Sequence, residues 1–185
     1  DFGYLLNQAR VESSLNPQAQ ASTSSAAGLF QFTKATWLGT LKAHGANHGL
    51  AWAADAISTT PGGRHVVSDP ALRQTILDLR FDADASSAMA GELASDNQGF
   101  LESGLGRPTD QVDLYLAHFL GADGALKFLQ AHDVDPSQAA APLFPQAAAA
   151  NRGVFYAPDG SARSLSEIRE RFAAKLICVL TSFLQ

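Results

Sequence analysis

The sequence predicts an all-α domain, compact and carrying a cleft. Three observations predict it. Apolar residues recur three and four apart, and alternating strand patterns are absent. Alanine, the strongest helix former, is abundant. The chain has 185 residues, of which 46% are hydrophobic, enough for one domain with its own core and too apolar for intrinsic disorder.

The elements follow in order. Phe2, Leu5, Ala9 and Glu12 share one helical face, with Leu6 and Ser13 beside it. That helix should end near Ser14, because Asn16-Pro17 is a turn signal. A loop from Asn16 to Ala27 leads to a second helix over Leu29 to Ala43, stopped at His44-Gly45. A short helix is expected around Trp52 to Ile57. Asp69-Pro70 reads as an N-cap with proline at the first helical position, opening a helix through Leu72, Ile76 and Leu79. Another runs from Asp84 to Ser95. Thr109 reads as the cap of a helix that stops at Gly121, and Ala125 to Ala131 forms a further one. Residues 136–163, with "PSQAAAPLFPQAAAAN", are Ala- and Pro-rich and irregular within the single domain 1–185. Ser164 and Glu167 match a capping box that opens the last helix.

Composition excludes several function classes. The net charge is -5 and no Lys/Arg block occurs, so a nucleic-acid groove is not indicated. Cys178 is the single cysteine and reads as a small buried hydrophobe. No C-x-x-C or H-E-x-x-H pattern signals a metal. His44 and His48 are spaced for one helix face, but Gly45 and Gly49 break that helix, so they read as a surface loop. The late run "LICVLTSFL" has nine residues, against the roughly 20 needed to span a bilayer, and reads as a core helix. The chain opens on "DFGYLLNQA", which is helical text with no secretion signal.

The segment "ARVESSLNPQAQASTSSAAGLFQF" holds one acid, Glu12. A lone Glu on a helix is usually solvated. Glu12, however, continues the Phe2–Leu5–Ala9 face and should turn toward the core side. Buried carboxylates need a reason. It also falls in the last turn, where the helix dipole and desolvation both raise a carboxyl pKa. A carboxylic acid held protonated near neutral pH is what general acid catalysis of glycoside cleavage requires.

"ESSLNPQAQASTSSAAGLFQF" followed by "TKATW" resembles the opening of the soluble lytic transglycosylases (SLT domains), a family with a lysozyme-like, goose-type-like fold. Glu12-Ser13 matches its E-S motif, and Asn16-Pro17 its turn. Ser22 falls on its loop serine if one residue is inserted after Pro17. Gly28-Leu29-Phe30-Gln31 matches its G-L-M-Q, with Phe30 where Met is usual. Ser25 replaces the usual Gly and Lys34 the usual Pro. Ala117-His118-Phe119-Leu120-Gly121 matches A-Y-N-A-G more loosely, with His118 for Tyr and Phe119 for Asn. Phe155-Tyr156 corresponds to the family's late cleft tyrosine, Tyr156.

The resemblance implies cell wall degradation by a non-hydrolytic lyase, acting on glycan strands of peptidoglycan at the MurNAc-β-1,4-GlcNAc bond. Glu12 would be the single general acid/base, forming 1,6-anhydro-MurNAc. It implies no cofactor and no metal. Ser22, Gln31, Phe30, Tyr115, His118 and Tyr156 are the candidate substrate-binding residues. Gln31 has an alternative reading as a helix cap and Ser22 as one more loop serine. His118 stands equally for a core histidine and a cleft donor. Phe30, Phe32, Trp37 and Phe119 also fit a core, and Trp52 fits a stacking platform. Two rivals remain: a muramidase, which needs a second carboxylate such as Asp55, Asp69, Asp82 or Asp84 in the cleft, and a non-catalytic peptidoglycan-binding domain. The substrate implies a periplasmic or envelope setting, with a partner protein of envelope assembly.

Overall fold

A computed structural model describes residues 2–177. It is mostly helical: α1 (Phe2–Ser13), α2 (Lys34–His44), α3 (Ala51–Ala56), α4 (Pro70–Asp78), α5 (Ala83–Leu105), α6 (Gln111–Leu120), α7 (Ala122–Val134), α8 (Pro145–Ala150), α9 (Arg152–Phe155) and α10 (Leu165–Ile177). The all-α expectation holds. One two-stranded antiparallel sheet, β1 (Ser58–Thr59) with β2 (His65–Val66), interrupts it. Each strand is two residues long, too short to show an alternating pattern in sequence. Cys178 and most of the late apolar run lie outside the described residues. No helix among the described residues is long and apolar enough to cross a membrane.

The chain divides into two compact units, Asp1–Ser95 and Asp96–Gln185. In the first, Trp37, Leu38 and Leu41 of α2 pack with Phe30, Phe32, Ile57, Ile76, Leu77 and Met89 in one core cluster. The Trp37 indole, fully buried, donates Nε1–H to the Ile76 carbonyl at 2.8 Å and meets Phe32 edge-on at 5.1 Å. A buried indole needs such a partner. Leu5 of α1 faces Gly91 of α5, where an added β-carbon would lie 3.8 Å from Leu5 Cδ1.

The second unit is built on aromatic contacts. Phe172 of α10 meets Tyr115 and Phe119 of α6 edge-on, each at 5.1 Å. Phe119, Phe155, Phe144 and Phe128 continue the chain of ring contacts. Beneath the start of α6, Asp113 is fully buried. It accepts from Arg107 at 2.7 Å and from Arg169 at 2.9 Å, so its charge is paired twice.

Several boundaries differ from those read in sequence. The second helix begins at Lys34, not Leu29, because residues 28–31 form a tight turn and Thr33 supplies the cap. The helix expected over Asp84 to Ser95 runs to Leu105. Asp110, not Thr109, caps α6, in a reciprocal capping box with Asp113. The Thr109 hydroxyl and N–H instead donate to Glu102. The segment 136–163 holds a 3₁₀ turn and two short helices, α8 and α9. Local signals succeeded at Asp69, whose side chain accepts from Ala71 and Leu72 N–H, and at Ser164/Glu167, where both capping bonds form.

Candidate functional site

Glu12 sits in the last turn of α1, half-buried. Among the described side chains of this helix Tyr4, Gln8 and Ala9 are buried, and Glu12 lies at the margin of that stripe. The Tyr4 phenol is held well above its ordinary ionisation range, first by burial and then by the negative charge of Glu12. The two side chains therefore share an electrostatic environment two turns apart on one helix.

The helix ends in two consecutive left-handed residues. Ser14 and Leu15 both adopt positive φ, 53° and 61°, a region that costs a non-glycine residue about 1–2 kcal/mol. The Ser14 N–H bonds the Arg10 carbonyl and the Leu15 N–H reaches back to Ala9. The Ser13 hydroxyl also donates to Ala9. The helix therefore stops one residue after Glu12.

The loop that follows is knitted by its own backbone. Ala27 and Phe32 exchange two hydrogen bonds at 3.1 Å, closing a turn over residues 28–31. Gly28 has φ of 80° and Gln31 has φ of 50°. The Gln31 side chain, half-buried, donates Nε2–H to Gly28 O at 2.9 Å and Ala19 O at 3.2 Å. Its amide nitrogen is thus spent on holding the loop. Only the amide oxygen is left to meet a ligand. Ser22 is exposed among the bends of residues 22–25, and Phe30 is 4% exposed within the core cluster. Burial favours the core reading for Phe30, and the same holds for Phe32 and Trp37. Trp52 is 46% exposed, as a stacking platform must be.

The remaining candidates belong to the second unit. Tyr115 is 5% exposed and packs on Phe172. His118 is half-buried, its ring 6.0 Å from that of Tyr115. Tyr156 caps the end of α9, half-buried, with the Arg152 guanidinium over its ring at 4.8 Å.

No protein-family model matches the chain.

Two structural contributors escaped the sequence reading. Arg80 is 5% exposed and reaches across to the loop. Its Nη1 donates to Ser25 O at 2.6 Å and Phe32 O at 3.1 Å, while Nε donates to Leu77 O at 2.8 Å. Burial pulls its pKa below the usual guanidinium value. In "ILDLRFD" it is one cation in an apolar run, with nothing to mark it as a clamp. Glu92 is the other. Expected in a surface loop, His44 instead ends α2 and His48 a 3₁₀ turn, and both face Glu92, at 3.4 Å and 2.7 Å. The His48 hydrogen bond holds the Glu92 carboxyl below the usual range.

Proposed function

We propose that this chain is a peptidoglycan lytic transglycosylase with a lysozyme-like catalytic domain. Glu12 protonates the glycosidic oxygen between MurNAc and GlcNAc. The C6 hydroxyl of the muramoyl residue attacks its own C1 as that bond breaks, and the Glu12 carboxylate takes the hydroxyl proton. The product carries a 1,6-anhydro ring and Glu12 is restored to its acid form. The nucleophile comes from the substrate, so one enzyme carboxylate suffices. Gln31 and Ser22 flank the sugar, and Trp52 supplies an aromatic face.

One observation carries the reading. Among the described residues, the three non-glycine residues with positive φ are Ser14, Leu15 and Gln31. They fall directly after the Glu12-Ser13 pair and at the end of Gly28–Gln31, the two segments that carry the family resemblance. Strain of this kind persists where surrounding structure enforces it, and it clusters at functional sites.

The test is digestion of purified peptidoglycan by wild type and by Glu12→Gln, with released muropeptides weighed without chemical reduction. The expected result is anhydro products, one water lighter than reducing-end fragments, from wild type alone. Turnover by Glu12→Gln near the wild-type rate would overturn the role of Glu12. Reducing-end products would instead make the enzyme a hydrolase.

A further inference from the structure

The loop after Glu12 walls a recess. A pocket of about 300 Å³ is lined by Gln20–Ala21 and Ser24–Ala27 on one side and by Gln74, Asp78 and Arg80 on another, with Lys34 beside them. Glu12 is not among its lining residues. The volume is at the lower end of small-molecule sites.

Its polar groups are mostly donors. Arg80 commits Nε and Nη1 to three carbonyls. Its Nη2 makes no hydrogen bond within the described residues. No buried side-chain nitrogen or oxygen among those residues lacks a partner, so Nη2 is the solvent-reaching end of an otherwise buried side chain that lines the pocket. The Lys34 side chain is exposed, and its ammonium makes no hydrogen bond within the described residues either. The Ser25 hydroxyl accepts from Lys34 N–H at 3.2 Å and the Ser24 hydroxyl from Ala26 N–H at 3.2 Å, which leaves both hydroxyl hydrogens to donate. The one fixed anion, Asp78, already accepts from Gln74 Nε2 at 2.7 Å.

Among the lining side chains two cations stand against one carboxylate, Asp78, which acts on Arg80 through its charge, and Arg73 adds a further positive charge nearby. A buried guanidinium bonded only to carbonyls has its strongest unused interaction with a carboxylate. The net positive lining favours an anion. We infer that the first unit carries a carboxylate-binding pocket, distinct from the Glu12 site, in which Arg80 Nη2 and Lys34 Nζ receive the carboxylate of a small acid or of a short peptide. This assignment stands whether or not the glycan-cleaving reading does.

The test uses isotope-labelled protein and three probes: acetate, an alanyl-glutamate dipeptide, and the same dipeptide with both carboxyl groups amidated. Amide resonances of Ser24–Ala27 and the Gln74 side chain are followed by NMR. The expected result is saturable shifts with the free dipeptide or acetate and none with the amidated form. Lys34→Gln, at an exposed position, should weaken binding about five-fold or more, and Lys34→Arg should restore it. A dipeptide at least about ten-fold tighter than acetate identifies a peptide as the source, and equal affinities identify a small acid. Shifts of equal size with the amidated dipeptide, no shifts at millimolar probe, or affinity indifferent to Lys34→Gln would each overturn the proposal. Binding is read without turnover, so this failure is separate from failure of the digestion assay.

Discussion

The carbonyl oxygen of Arg80 lies 1.9 Å from where a β-carbon on Gly28 would stand. The loop that carries Gln31 and the strand of chain that carries Arg80 are therefore in backbone contact, and no side chain fits between them. Gly28 also has φ of 80°, which favours glycine on its own account. Gly28→Ala should cost about 3 kcal/mol or more, from the φ strain together with displacement of backbone. Urea denaturation measures it. A loss below about 1 kcal/mol would mean that the contact yields.

The Leu15 strain makes the opposite prediction. Its side chain is 43% exposed, so removal forfeits little packing. Relief of about 1–2 kcal/mol of left-handed strain exceeds the roughly 0.5–1 kcal/mol of added chain entropy. Leu15→Gly should raise stability by up to about 1 kcal/mol in the same denaturation experiment. If the strain serves the Glu12 site, muropeptide release should fall while stability rises.

Tyr4 predicts the alkaline limb of stability. Its folded pKa is raised above the ordinary 10.0. The native state therefore keeps a proton that the unfolded chain gives up, and the stability this contributes is full below pH 10 and declines as pH rises beyond it. Melting temperatures taken from pH 8 to 11 should fall less steeply for Tyr4→Phe than for wild type. Glu12→Gln should move the Tyr4 ionisation downward in an ultraviolet titration, since the carboxylate is the second cause of the shift. Identical titrations would show that burial acts alone.

In the second unit Asp110 governs the acid limb and Asp113 holds a buried pair of ion pairs. Burial acts to raise the Asp110 pKa, but the Asp113 N–H and Arg169 outweigh it, and the net shift is downward. The stability from Asp110 is thus present above the ordinary aspartate value and is lost as pH falls below about 4. Asp110→Asn should flatten that loss. Asp113→Ala leaves Arg107 and Arg169 facing a buried gap and should cost about 3–5 kcal/mol. A thermal melt at pH 7 reads the second effect, and melts between pH 5 and 2 read the first.

What could be read from sequence was what neighbouring residues decide. Asp69-Pro70 and Ser164/Glu167 carry their caps within four residues, and both formed. The end of α1 near Ser14 and the stop at Gly121 are of the same kind. The turn at 28–31 was missed because its shape depends on Arg80, far along the chain, and because Gln31 takes a conformation its type rarely adopts. A glutamine facing a sugar and a glutamine tying down Ala19 and Gly28 are spelled alike. Glu12 was found at the helix end where it was expected, but the left-handed pair behind it has no signature in "SSLNP". α5 ran on past Ser95 through "DNQGFLESGL", where polar residues and two glycines concealed the helical period.

The Arg80 clamp also bears on how portable the loop is. Residues 9–32 look like a self-contained cassette, with their own turn, their own bridge pairs and the acid at one end. Yet two of the carbonyls that fix the shape, those of Ser25 and Phe32, are held by a guanidinium rooted beyond α4. Grafted into another helical scaffold, the cassette would arrive without its keystone and relax. Any transplant, or any minimal fragment meant to retain this geometry, has to bring the 77–81 turn along with it.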